Sequence, residues 1–255
     1  MNDVRLARRL PALSALALLV APLGAQVSSS VGPPQAPVGC PIQITLSNDT
    51  GVAVATGICP FEIQDAAGNL VFAPACIEIL VFIQPGDTFT TQWDQVDQNG
   101  NQVPPGSYQV RVNEPDGDVE FHKVEIGGTA AAIAPLGVAK TGTNRSYQLC
   151  SPGDPGRPYR LAASFTNAVG ISTCAGTVPL DLDGLFFLSQ STPGVFQNFA
   201  GVLDATGASA APSIAIPAQP GLVGTSFQLA FVVLDSPGAP CGIRTISSNL
   251  PVTIQ

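Results

Sequence analysis

Trp93-Asp94-Gln95-Val96-Asp97-Gln98-Asn99-Gly100-Asn101-Gln102-Val103-Pro104-Pro105-Gly106-Ser107-Tyr108 is the stretch on which the fold turns. Phe89, Thr91 and Trp93 alternate along the preceding residues, so they share one face of a strand, and Trp93 is expected to enter a core. Asp97, Asn99 and Gly100 have turn chemistry, and Pro104-Pro105-Gly106 stiffens the chain before the next strand. Tyr108 opens that strand between Gly106 and Val110. This is the spacing of a tyrosine corner, in which the hydroxyl bonds back to nearby backbone.

Strand patterns surround this corner. Upstream, Ile42, Ile44 and Leu46 alternate with Gln43, Thr45 and Ser47, which predicts a half-buried strand. A strand around Cys59 to Gln64, the turn Asp65-Ala66-Ala67-Gly68-Asn69 and a return over Leu70 to Cys76 predict a hairpin. With residue 64 opposite about residue 71, Cys59 falls opposite Cys76, close enough for a bridge. Residues 77–83 and 88–93 follow as strands around Pro85-Gly86-Asp87. Downstream, Tyr108, Val110 and Val112 alternate, Glu114-Pro115-Asp116-Gly117 turns the chain, and a last strand covers Val119 to Ile126 with a bulge expected near His122-Lys123. About seven strands in this length predict an immunoglobulin-like β-sandwich over 39–127.

The flanks set the context. Residues 1–25 carry Arg5, Arg8 and Arg9, an apolar run from Leu10 to Leu23 and the small pair Gly24-Ala25, the pattern of a cleavable secretory signal. The run is shorter than a membrane span requires, and no other anchor is expected. Residues 26–38, rich in Ser, Pro and Gly, read as a leader. Removing 1–25 takes three of the 10 basic residues and one of the 18 acidic ones, leaving 7 against 17 and a net charge of −10. Such a surface disfavours nucleic acid and anionic lipid. Gly127-Gly128-Thr129 marks a boundary, after which 133–255 predicts a second β-sandwich. Its strands are expected near 133–139, 145–150, 158–166, 178–188, 212–217, 225–234 and 243–255.

Six cysteines in an exported chain predict disulfides. Cys150 at the tip of a 145–166 hairpin and Cys174 beyond its other end argue against their pairing, which favours Cys174–Cys241 alongside Cys59–Cys76. Cys40 and Cys150 receive no assignment, and a bridge between the two regions is one option left open.

The first region resembles the family named for the BsuPI intracellular proteinase inhibitor. The similarity spans roughly 37–126 and rests on Trp93, Asp94, Asp97, Gly100, Val103, Pro104, Pro105, Gly106 and Tyr108. The resemblance implies a sandwich and, by the family's name, inhibition of a protease. These matching residues are structural ones, so no reactive loop is carried over. Residues 133–255 resemble an uncharacterised β domain found towards the C-termini of exported bacterial proteins, through Pro179-Leu180-Asp181-Leu182-Asp183 and Ile246-Ser247-Ser248-Asn249.

No catalytic site, cofactor or metal is expected. His122 is the sole histidine and no Gly-x-Ser-x-Gly elbow occurs, so a serine or cysteine nucleophile lacks its base. Asp181 and Asp183, read as neighbours on one strand face, make a poor glycosidase pair. Asp94, Asp97 and Asn99 offer oxygen ligands, but placing Gly100 at the EF-hand glycine puts Gln95 and Gly106 at ligand positions, so that motif fails. A looser calcium site there or at Asp181/Asp183 stands as an option against a solvated turn. Sequons begin at Asn48 and Asn144 and receive no role. The expected function is therefore an exported, non-enzymatic protein-interaction module whose partner is a protein, with protease inhibition as its concrete form and loops 47–57 and 94–106 as the contact. The alternative is a structural or adhesive surface protein, with sugar stacking on Trp93, Tyr147 or Tyr159.

Overall fold

A strand begins where the sequence reads as leader. In the computed structural model, which describes residues 26–255 except 77, 78, 237 and 240, β1 (Val27–Gly32) is followed by β2 (Gln35–Ala36), β3 (Ile42–Asn48), β4 (Val54–Gly57) and β5 (Phe61–Asp65). Then come β6 (Leu70–Phe72), β7 (Leu80–Ile83), β8 (Thr88–Trp93), β9 (Gly106–Asn113) and β10 (Val119–Ile126). The expected signal segment, 1–25, lies outside the described residues. β1 pairs with β3 along its whole length, because Val27 and Val31 supply apolar contacts that its serines obscure.

The second half continues with β11 (Ala132–Leu136), β12 (Asn144–Cys150), β13 (Pro158–Ser164), β14 (Ile171–Thr173), β15 (Gly176–Val178) and α1 (Gly184–Ser191). After these run β16 (Phe196–Gln197), β17 (Ala200–Val202), β18 (Ala208–Ser209), β19 (Ser213–Ala215), β20 (Ser226–Leu234), β21 (Ile243–Ile246) and β22 (Leu250–Thr253). The chain is all-β, with strand at 47% and helix at 5%.

Four sheets carry most of these strands. The first half has β1-β3-β8 and β2-β10-β9-β5-β6, with the ribbon β4-β7 beside them. The second has β11-β12-β19-β16, to which β18 adds on β12, and β17-β13-β20-β21, to which β22 adds on β20. One buried cluster gathers Ile42, Ile44, Trp93, Tyr108 and Val110 with their neighbours, and another gathers Tyr147, Leu149, Leu161, Phe231 and theirs.

Four expectations are corrected. β12 and β13 do not form a hairpin; they belong to different sheets, each apolar face meeting the other across the core. Residues 184–191, overlapping the end of the expected strand 178–188, are helical. Asp183 caps the helix by accepting from the Phe186 N–H at 2.9 Å, no β-branched residue interrupts Leu185 to Leu188, and Pro193 follows its end. A short apolar run has no periodicity to separate strand from helix. No bulge occurs at His122-Lys123, where β10 keeps an unbroken register with β9. The phase shift is absorbed by exposing Val119 and Phe121 and turning Glu120 and His122 inward.

Last, β3 is buried on both faces, not one. Its polar positions Gln43, Thr45 and Ser47 are covered from the second half. Gln43 Nε2 donates to Gln148 Oε1 at 2.8 Å, Gly32 lies against Pro135 so closely that a Cβ would sit 2.9 Å from its Cδ, and Lys140 Nζ reaches Asp49 Oδ1 at 3.0 Å. Cys40–Cys150, with Cα atoms 5.9 Å apart, closes this contact covalently.

Candidate interaction surface

The corner from Trp93 to Tyr108 is built as architecture. Trp93 is buried, donates from Nε1 to the Val96 carbonyl at 2.9 Å, and meets Tyr108 edge-on with ring centres 5.6 Å apart. The Tyr108 hydroxyl donates to the Pro104 carbonyl at 2.7 Å, completing a tyrosine corner. Val103 is buried, Gly106 opens β9, and Pro105 packs so closely on Gly127 that a Cβ there would sit 2.9 Å from its own. Asp94 accepts from Gln92 Nε2 at 2.8 Å.

Asp97 forms a turn that the chain uses three times. Its Oδ1 accepts from the N–H groups of Asn99 and Asn101, with Gly100 in the left-handed region at φ 79°. Asp65 does the same for Ala67 and Asn69, and Asp204 for Thr206 and Ala208. These N–H groups help hold all three carboxyls below their ordinary value: the Asn101 N–H leads at Asp97, whereas the side chains of Asn69 and Thr206 lead at Asp65 and Asp204. An oxygen engaged by two N–H groups is a turn element first. Among the described residues no group of three His, Cys, Asp or Glu side chains is arranged to hold a metal ion.

Sequence reasoning missed the residue that ties this corner down. Gln95, at φ 59° and fully buried, accepts on Oε1 from the Gly39 N–H at 2.8 Å. Its Nε2 donates to the carbonyls of Pro37 at 2.9 Å and Cys40 at 2.6 Å. Its polarity and place in a turn gave no signal of burial.

The two suspected loops are not brought together. Ile42 pairs with Trp93 and Ser47 with Thr88, so loop 94–106 lies at one end of β3 and β8 and loop 47–57 at the other. The latter is stiff. Asn48 is buried, its Nδ2 donating to the carbonyls of Val52 and Ile83, both at 2.8 Å, while Oδ1 accepts from Thr50; this engagement removes the Asn48 amide from any sequon role.

Beyond this latch runs the β4-β7 ribbon. Ile83 and Thr56 face inward and are buried, whereas Leu80 and Phe82 face out at 64% and 63% exposure, opposite Gly57 and Ala55. Val52, at the latched turn, is 66% exposed. Cys59–Cys76, Cα atoms 6.2 Å apart, joins the chain just outside the ribbon's two strands. The hairpin register that pairs Ile63 with Phe72 carries on to these cysteines.

His122 has neighbours, but not those of a triad. Ser29 Oγ lies 2.8 Å from His122 Nε2, and Glu120 Oε2 lies 3.2 Å from the same nitrogen. A relay needs the acid on one ring nitrogen and the nucleophile on the other. Here both share Nε2, and the trio ties β1 to β10.

In the second half, Asp181 and Asp183 sit in the loop before α1 and at its cap, not along a strand. Asp181 accepts from the Thr166 hydroxyl at 2.5 Å and from the N–H groups of Ala168, Val169 and Gly170. These bonds, the hydroxyl first, hold its carboxyl at about 2. Cys174 pairs with Cys241, Cα atoms 5.5 Å apart. Trp93, Tyr147 and Tyr159 are all buried, so none offers a face to a sugar. A buried Asp154, unmarked in sequence, accepts from Ser151, Arg244 and Thr245 and staples β21 to the loop after β12.

No protein-family model and no curated protein matches the chain. Among solved structures it is similar to red sea bream transglutaminase at 11% identity, covering 90% of this chain and 31% of that one with a TM-score of 0.31. The Yersinia pseudotuberculosis adhesin InvE matches at 14% identity, 91% and 60% coverage and a TM-score of 0.27. Salmonella alpha-2-macroglobulin matches at 14%, 96% and 16%, with 0.25. The chain spans less than two thirds of each. Likenesses this distant carry no argument about activity.

Proposed function

We propose that the chain is an exported, non-enzymatic protein-interaction module of two β-sandwich domains, the first immunoglobulin-like, and that its partner docks on the β4-β7 ribbon. The observation that carries this reading is the outward pair Leu80 and Phe82 on a ribbon held between a disulfide and the Asn48 latch. Exposed aromatic and aliphatic anchors on a preorganised element lose little entropy on binding, which is where binding energy concentrates. Three disulfides support passage through an oxidising compartment. Among the described residues no helix is long and apolar enough to cross a membrane.

Protease inhibition is the concrete version, with the stiff turn at Val52 and the ribbon beside it entering the cleft. Loop 94–106, at the far end, takes no part. Incubating the protein in molar excess with a panel of serine and metalloproteases tests this. Loss of activity of at least one enzyme, relieved by Leu80→Ser with Phe82→Ser, is expected; unaltered activity throughout would sink inhibition. A structural role is favoured instead by the covalent Cys40–Cys150 lock between the halves. Full resistance to the same proteases without capture of any partner on the ribbon would select it.

A further inference from the structure

On the second half, away from the ribbon, a cavity of about 300 Å³ opens between α1, β19 and the segment leading into β20. Leu185 and Leu188 of α1 form one wall, Ile216 another, and Phe227 and Ile254 the floor. Of its fourteen lining residues only Gln219 and Thr225 carry a side-chain hydrogen-bonding group, and none is charged. Leu185 packs against the core, while Leu188 and Phe165 at the rim are about half exposed. Protein interiors are close-packed, and an apolar void of half this size holds a benzene ring and stays dry. Water entering the cavity would find only two polar side chains, fewer than the roughly three hydrogen bonds a buried water usually makes.

We propose that this cavity binds a neutral, largely apolar small molecule: an alkyl chain or single ring carrying at most one hydroxyl or ester group. The volume lies at the lower end of the range for small-molecule sites. Charge selects the ligand further. The chain has a formal net charge of −8, and no lysine or arginine lines the cavity. Arg145, across the strand pair from Ile214, has its guanidinium over the Tyr147 ring and is not among the lining residues. A carboxylate would therefore be desolvated without a counter-ion. A peptide would have to bury backbone N–H and C=O groups against walls that offer almost no partner. The hydroxyl of a neutral ligand is matched by Gln219 or Thr225.

The test is titration of the full chain with N-phenyl-1-naphthylamine, an uncharged dye that brightens in apolar sites, followed by displacement with 1-decanol or decanoate at pH 7. Saturable binding at one dye per chain is expected, with 1-decanol displacing at concentrations about tenfold below decanoate, the penalty for an unpaired charge. Ala215→Leu, which adds bulk at a lining residue, and Leu188→Gln, which makes the half-exposed end of the α1 wall polar, should each weaken the dye at least about fivefold, as loss of apolar contact requires. Leu80→Ser with Phe82→Ser should leave it unchanged, so that failure here and failure of the ribbon are separable. Absence of saturable binding, equal displacement by decanoate, or binding that both cavity variants leave intact would overturn the assignment. The rim variant keeps the test decisive if Ala215→Leu does not fold.

Discussion

Replacing Gln95 by alanine should destabilise the protein by about 3 kcal/mol, far more than its place in a polar turn suggests. The amide makes three bonds to the 37–40 segment, two of them to carbonyls. After truncation these groups fare differently. The Gly39 N–H lies at an exposed residue and can turn to water. The Pro37 carbonyl keeps the Cys40 N–H at 3.2 Å. The Cys40 carbonyl, on a residue 1% exposed, has no such recourse. One orphaned buried acceptor costs about 1–3 kcal/mol, and the two other bonds contribute about 0.5–1.5 each. The positive φ is no worse for alanine than for glutamine, so backbone strain does not enter.

Urea unfolding measures the loss. With a slope near 3 kcal/mol/M, the midpoint should fall by about 1 M. Trp93, the sole tryptophan, lies two residues away and reports the corner directly, so a red shift before the main transition would mark local opening. Gln98→Ala is the control: it removes a bond to the Ala73 carbonyl at an exposed position and should change stability by less than about 0.5 kcal/mol. A Gln95→Ala variant as stable as that control would refute the reasoning.

Removing Cys40 and Cys150 together opens a bridge across 110 residues and should cost up to about 5 kcal/mol by loop entropy, with calorimetry then resolving two transitions; a single unchanged one would count against it. Tyr108→Phe should lower stability by about 1 kcal/mol in thermal unfolding, because the exposed Pro104 can rehydrate its carbonyl. Asp181 is depressed from 3.8 to about 2, so its contribution is present above pH 3.8 and lost as pH falls towards 2; the Val169 and Gly170 amide resonances should shift in that window and not in Asp181→Asn.

What the sequence disclosed and what it withheld divide along physical lines. Period-two patterns and turn residues marked β3, β8, β9 and β10, because alternation and Gly-Asp-Pro punctuation are local properties. The hairpin register reached Cys59 and Cys76 for the same reason. Two facts were non-local: β1 is visible only once β3 is beside it, and β12 and β13 occupy separate sheets although short spacing suggested a hairpin. The helix at 184–191 had local signals, a cap at Asp183 and Pro193 beyond its end, but its short apolar run has no periodicity to set it apart from a strand. Cys174 pairs with Cys241 in the structure, although the hairpin that spoke against a Cys174–Cys150 pair does not form. The candidate surface was half legible: residues 47–57 were singled out as a loop connecting strands, but Leu80 and Phe82 read as ordinary strand apolars until their outward direction was known.

The burial of β3 explains why the two halves meet through polar groups. A strand with Ile42, Ile44 and Leu46 on one face and Gln43, Thr45 and Ser47 on the other has a single apolar face to offer, and the first core takes it. On the second face Gln43 bonds across to Gln148 of the second half, while Gln43 with Gln92 and Thr45 with Thr90 pair within the first sheet and the buried Ser47 hydroxyl has no partner. Such a contact gains little from the hydrophobic effect, since hydrogen bonds exchanged with water contribute about 1 kcal/mol each. Polar contacts alone therefore leave the halves free to separate, as interfaces between domains commonly do. Cys40 and Cys150 remove that freedom at one end of β3, and Lys140 with Asp49 reinforces the other.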